Sequence, residues 1–217
     1  MKIKALVPLR GGSKSIPMKN IKMLGGKPLC YWVLESLLKT KEISDIFVST
    51  DSVRIARVVK KLNKDIQIIK RPKHLANDFT ATERVMLHFA KKIDFDLLVT
   101  VQATSPFTSE KDISNAIKKF KKDKLDSLLT AVRLKRFFWS DNSTPLNYNP
   151  TKRPPRQKFG GTLTENGAFY ITSKKCLKTN KCRLGGKIGI FEMSEKNFTE
   201  IDEPSDWAKV SKLLKNT

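Results

Sequence analysis

The chain has 217 residues, 39% of them hydrophobic, enough for one α/β domain with a sizeable core but not for a second catalytic domain. Its 43 lysines and arginines against 21 acids leave a formal charge of +22, a balance that suits polyanions, yet the lysines are spread over helical faces as solvated surface. No helix-turn-helix or RNP signature and no aromatic–arginine interleaving is present, so nucleic acid is not the expected partner. Three scattered cysteines (Cys30, Cys176 and Cys182) argue against a disulfide framework or a structural zinc. With no signal-like or membrane-length apolar run, the reading is a soluble, intracellular chain, cytoplasmic or nuclear.

Apolar runs alternate with helical periods. Strands are predicted over residues 4–8, 45–49, 66–70, 97–102, 127–132, 167–171 and 187–191. Helices are predicted over 30–40, 53–63, 82–92, 112–121 and 204–214, the first of them entered through the turn Gly25-Gly26-Lys27-Pro28. Short apolar strands separated by helices favour an α/β fold, a mostly parallel sheet covered on both faces, with ligands at the carboxyl ends of the strands. Residues 1–217 read as one domain. Within it, 133–164 is an irregular excursion rich in Pro, Asn, aromatic and basic residues, whose Phe137, Phe138, Trp139 and Tyr148 need a packing partner. A lid or a dimer contact would supply one.

At the end of the first strand stands "PLRGGSKSIPMKN", residues 8–20. Gly11 and Gly12 allow a sharp turn and a close approach of peptide N–H groups to an anion, with Arg10 and Lys14 supplying charge. The spacing matches neither GxxxxGK[ST] nor GxGxxG. On spacing alone, a phosphate loop and a solvated basic loop remain equally open.

The stretch "RGGSKSIPMKNIKMLGGKPL" resembles the signature of the acylneuraminate cytidylyltransferase (CMP-sialic acid synthetase) family. "VSTD" (48–51), "QATSPF" (102–107), "RPPRQ" (153–157), "ENGAFYI" (165–171) and "EIDEPSDW" (200–207) follow in the family's order, so the likeness covers nearly the whole chain. It implies a three-layer, Rossmann-like nucleotidyltransferase fold and a reaction in which CTP and an acidic nine-carbon 2-keto sugar give CMP-sugar and pyrophosphate. It also implies Mg²⁺ as cofactor and a homodimer in which the excursion reaches the partner's sugar site.

Residue by residue, the resemblance implies that Arg10, Ser13 and Lys14 form the phosphate loop, that Lys19 reaches the phosphates and that Asn20 stands at the nucleotide. Arg71, Thr80 and Thr82 would meet base and ribose, although Arg71 before Pro72 also reads as a plain loop cation. Gln102 would face the sugar and the transferred phosphate. Arg156 and Gln157 would take the sugar carboxylate, since planar bidentate recognition favours arginine, with Glu165, Asn166 and Tyr170 on the sugar side. Tyr170 also reads as a packed strand residue.

Asp202 and Glu200 would be the metal ligands, Asp202 the stronger because Glu200 replaces a family aspartate. Without the resemblance both read as acids at a helix start, as Asp206 does. Arg10, Lys19, Gln102 and Asp202 are the expected catalytic set. Asp51 is read as a helix N-cap, Thr104 and Ser105 as caps of the next helix or turn, and His74 and His88 as structural. Ser15 replaces a family glycine at a position that suits positive φ, and Leu9 replaces an alanine. Two other readings stay open: transfer to another acidic sugar, such as 3-deoxy-manno-octulosonate or a legionaminate or pseudaminate, and a basic nucleic-acid-binding protein on the same fold.

Overall fold

The structure, a computed structural model, describes residues 1–215. Strands β1 (Ile3–Pro8), β4 (Asp45–Thr50), β5 (Gln67–Lys70), β6 (Leu97–Val101), β7 (Ser127–Leu134), β8 (Thr162–Ser173) and β9 (Ile188–Met193) form one sheet in the order β5-β4-β1-β6-β8-β7-β9. The pairings of β1 with β4 and β6, of β4 with β5, and of β7 with β9 are parallel, while β8 runs antiparallel between β6 and β7. The two-residue strands β2 (Met23–Leu24) and β3 (Lys27–Pro28) make a separate hairpin. Its turn places Gly25 and Gly26 at φ +59° and +78°, backbone that glycine adopts without strain.

Alternation along the strands builds the layers. Ala5 and Val7 of β1, with Leu97, Val99 and Val101 of β6, pack on one face against α1 (Leu29–Lys39), α2 (Val53–Leu62) and α4 (Glu110–Lys122). Leu6 and Leu98 point the other way, joining Phe47, Met86, Phe89, Phe95 and Leu177 under α3 (Thr82–Ala90) and α5 (Lys174–Asn180). Phe47 and Phe89 meet edge to face at 5.0 Å. The sheet is therefore covered on both faces, the three-layer α/β arrangement expected from the sequence. A third cluster joins Ile16, Leu24 and Leu29 to Ile201 and to Val210 of α6 (Pro204–Lys215), fastening the far end of the chain under the loop that follows β1.

Several local expectations are corrected. The predicted strand 167–171 is the middle of the twelve-residue β8, and α5 has no counterpart among the predicted helices. The N-cap of α2 is Ser52, whose Oγ accepts from the Ile55 N–H; Asp51 stands one position too early for that geometry. Neither Thr104 nor Ser105 caps α4: Ser109 does, in a capping box with Asp112. Ser15 does not adopt positive φ. The left-handed residue of its loop is Met18 (φ 52°), so the missing glycine carries no conformational penalty there.

The excursion leaves the sheet between β7 and β8 as an arm. Its aromatics pack on one another: Phe137 lies 4.2 Å from Tyr148 and 4.8 Å from Phe159, and the Arg153 guanidinium covers the Phe137 ring at 4.5 Å. Asn147 ties the base together, accepting from the Phe138 N–H and donating to the Arg136 carbonyl and Thr162 Oγ1. Trp139 and Leu146 remain exposed.

Candidate active site

β1, β4, β5 and β6 all end at the same edge, and the chain following β1, β5 and β6 lines one cleft of about 250 Å³. Arg10, Ser13, Lys19 and Asn20 line it from the loop after β1, Arg71 from the end of β5, Thr80 and Thr82 from the entry to α3, and Gln102 from the end of β6. Eight of the sequence-predicted residues are thus brought together.

The loop's internal bonds explain its shape. Gly11 donates its N–H to Asp51 Oδ1 (2.9 Å), and a Cβ on Gly11 would stand 3.0 Å from that of Ser52, so glycine permits the close pass over the start of α2. That amide is committed to Asp51 rather than turned to the cleft. Asn20 is buried and donates to the Arg10 carbonyl (2.9 Å), holding the two ends of the loop together. Arg71 is also buried: its guanidinium donates to Ser49 Oγ (3.2 Å) and the Ser49 carbonyl (2.7 Å). Burial lowers its pKa to about 10, and nearby Asp51 works the other way, leaving a cation at neutral pH.

One participant has no signal in the local sequence. Asp78, in the turns between β5 and α3, pairs with both Arg10 and Lys14 at 2.8 Å. These hydrogen bonds and charges hold its carboxyl below the usual carboxylate range, Lys14 contributing most. Two cations of the loop are therefore already occupied by a side chain from a distant segment, a pairing that no pattern along the chain announces.

The acids Glu200 and Asp202 lie outside the cleft lining, and Asp202 is tied to it through Lys19. Lys19 Nζ donates to Asp202 Oδ1 (3.1 Å) and to the Ile201 carbonyl (2.7 Å), and the Ile201 N–H donates to the Thr104 carbonyl (2.9 Å). Glu200 sits against a bulge in β8. Between Leu129 opposite Tyr170 and Ala131 opposite Glu165, β8 advances five residues while β7 advances two. Gly167 in that bulge has φ +63°, and a Cβ there would come 2.5 Å from Glu200 Oε1, so the carboxyl occupies space that only glycine leaves. Burial, then the neighbouring charges of Asp202 and Glu165, push the Glu200 carboxyl up to about 7 against the pull of Lys19. Asp206 stays with its helix, accepting from the Asp202 and Glu203 N–H groups as the sequence suggests.

On the other side of the bulge, buried Tyr170 donates its hydroxyl to Glu165. Asn166 is buried and donates to the Asn197 carbonyl (3.0 Å). Arg156 and Gln157 are not brought to the cleft. Both are exposed on the arm, where Arg156 lines a different hollow with Phe137, Trp139, Tyr148 and Phe159. His74 and His88 lie outside the cleft lining, and Leu9 is buried in the core.

Comparison with known proteins places the whole chain in one family. Residues 4–216 match the family model described as Cytidylyltransferase. N-acylneuraminate cytidylyltransferase A of Danio rerio is 34% identical over 213 residues, 94% of this chain but 49% of the relative, and the Oncorhynchus mykiss enzyme is also 34% identical. The chain thus spans about half the length of these curated relatives. CMP-N,N'-diacetyllegionaminic acid synthase of Legionella pneumophila is 28% identical and is matched over 97% of its length. Among solved structures, CMP:2-keto-3-deoxy-manno-octonic acid synthetase complexed with CTP superposes with a TM-score of 0.76 at 18% identity, covering 100% of this chain and 99% of that one, a likeness of fold. A family match over nearly the whole chain, with relatives 34% identical over 94% of it, has one reading: this chain belongs to the cytidylyltransferase family.

Proposed function

We propose that the chain transfers CMP from CTP to the anomeric hydroxyl of an acidic nine-carbon 2-keto sugar, an N-acylneuraminate, releasing pyrophosphate. The observation that carries this reading is Lys19. It lines the cleft beside Arg10, Ser13 and Asn20 and at the same time bonds Asp202, joining a phosphate-type loop to an acidic edge. A triphosphate needs that cationic loop, and in-line attack on its α-phosphorus needs a second substrate held on the opposite side. The new bond joins the sugar oxygen to the α-phosphorus as the bond to the bridging oxygen of pyrophosphate breaks. Arg10, Lys14 and Lys19 neutralise the phosphates, Arg71 with Thr80 and Thr82 lines the nucleoside side, and Gln102 orients the reacting groups.

Glu200 and Asp202 would hold Mg²⁺. They are hard oxygen donors two positions apart, and the charge of Asp202 adds to burial in raising the Glu200 carboxyl against the pull of Lys19. Among the described residues no group of three His, Cys, Asp or Glu side chains could hold a metal, so phosphate oxygens and water would complete the shell. When bound, such an ion supplies neutralisation of the triphosphate's charge.

Arg156 and Gln157, exposed on the arm and away from their own chain's cleft, suit a homodimer in which each arm serves the partner's sugar site. A cytoplasmic site of action belongs to the same proposal, because the reaction draws on the CTP pool. No helix among the described residues is long and apolar enough to cross a membrane.

A second reading, transfer to another acidic sugar, draws on the legionaminate relative matched over nearly its full length. The deciding assay is pyrophosphate release with CTP, Mg²⁺ and a panel of N-acetylneuraminate, legionaminate and 3-deoxy-manno-octulosonate. Fastest release with N-acetylneuraminate is expected; preference for another acid selects the second reading. No release with any of them, together with salt-sensitive retention on DNA, would point to a nucleic-acid-binding protein.

A further inference from the structure

Next to the cleft, starting one residue after Thr82, runs a chain of polar contacts through three elements. Arg183, in the loop after α5, donates from Nε and Nη2 to both oxygens of Glu83 at 2.5 and 3.1 Å, a bidentate pair that is largely buried. Glu83 is in the first turn of α3, directly after the cleft-lining Thr82. The same guanidinium lies 4.7 Å from the centre of the Tyr170 ring, and the Tyr170 hydroxyl donates to Glu165. The loop itself is pinned: the Arg183 carbonyl accepts from Thr172 Oγ1 (2.7 Å), and Gly185 bonds Ser127 Oγ through both its N–H and its carbonyl.

We propose that Arg183, anchored by Glu83, is a positioning residue for the second substrate: it fixes the Tyr170 ring, and the Tyr170 hydroxyl in turn holds the exposed Glu165 carboxylate ready to accept a hydroxyl of the sugar. This deepens the proposed function and rests on it. One Glu165 oxygen is committed to Tyr170, which leaves the other free with its rotamer already set, so less side-chain freedom is lost when a sugar hydroxyl binds. Without the brace, Glu165 would be an exposed acid beside Glu200 with nothing to hold it in one orientation.

The test is a double-mutant cycle on Arg183→Gln, Tyr170→Phe and Glu165→Gln, reading KM for N-acetylneuraminate, kcat, and CTP affinity separately. Each single change is expected to raise the sugar KM about tenfold while CTP affinity stays within about twofold, and the Arg183→Gln/Glu165→Gln double variant to lose little more than the worse single. Arg183→Lys, which keeps the charge but not the fork, is expected to recover part of the loss. Multiplying losses, an unchanged sugar KM, or an equal loss of CTP affinity would overturn the proposal. If Arg183→Gln does not fold, Glu83→Gln and Tyr170→Phe carry the same cycle. If the parent chain turns over no acidic sugar, the proposed function fails, and the brace is judged by melting temperature alone. Arg183→Gln and Glu165→Gln must then shift it non-additively with Tyr170 present and additively in the Tyr170→Phe background; any other pattern overturns it.

Discussion

Lys19 and Asp202, 183 positions apart in the chain, meet at 3.1 Å. On the proposed function, a lysine at this junction faces the triphosphate and the acidic edge at once. Lys19→Ala is expected to lower kcat/KM for CTP by about two to three orders of magnitude, the usual cost of losing a charge aimed at a reacting phosphate. Asp202→Asn is expected to lose far more turnover than Glu200→Gln; steady-state pyrophosphate release at saturating substrates measures both, and comparable rates would refute the ranking.

On the proposed function, Asp78 competes with the nucleotide. Because it occupies Arg10 and Lys14, a triphosphate must displace it from both. Asp78→Asn is therefore expected to tighten CTP binding up to about fivefold, the scale of an exposed ion pair, when followed by calorimetric titration at low salt. Weaker binding would mean that Asp78 orders the loop instead.

Gly167 makes room for Glu200. An alanine there must hold φ near +63° and drive the Glu200 carboxyl aside, so Gly167→Ala is expected to cost about 1 kcal/mol in urea unfolding and to lower turnover about tenfold. In a Glu200→Ala background the turnover loss on adding Gly167→Ala should disappear while the stability loss remains.

Acid sensitivity should trace partly to Glu83. Burial works to raise its carboxyl, but the Arg183 pair holds it below its ordinary value of 4.5. The unfolded chain therefore takes up this proton first as pH falls. The pair's stabilisation is complete above about pH 4.5 and is lost as pH drops through the lower folded value. Glu83→Gln should flatten the dependence of the urea midpoint between about pH 5 and 3 by an amount on the order of 1 kcal/mol, again read from urea titrations.

If each arm serves its partner, two inactive variants should rescue each other. Arg156→Ala and Asp202→Asn, mixed and reassociated, would leave hybrid dimers with one complete site, restoring about a quarter of the parent rate for random pairing in a two-fold dimer. No recovery, with hybrids confirmed by mass, would place Arg156 in its own subunit's site.

The core strands are legible in the sequence because β1, β4, β6 and most of β7 are short apolar runs bounded by turns, and α1 to α4 carry a helical period. β8 is only partly legible. Its first half, Thr-Leu-Thr-Glu-Asn, lacks an apolar run, and the bulge at Gly167 breaks alternation between the two parts. α5 is seven residues with three lysines, too short for a period to register, though its Ser173 cap is a usable sign. In the cleft, the loop after β1 and Gln102 are readable through the motifs of the family resemblance, not through spacing alone. Asp78, Glu83 and Arg183 are not, because their roles come from pairings between distant segments. The Asp51 reading fails by one position: a carboxylate next to a helix start serves the neighbouring loop instead.

The docking of Ile201 beneath the loop after β1 gives assembly of the cleft a direction in time. During synthesis the ribosome delivers the loop early and the segment that completes its acidic edge more than 180 residues later, so a nascent chain holds a half-built pocket until almost the whole domain has emerged. On the proposed function, nucleotide capture then waits until Lys19 and Asp202 have met.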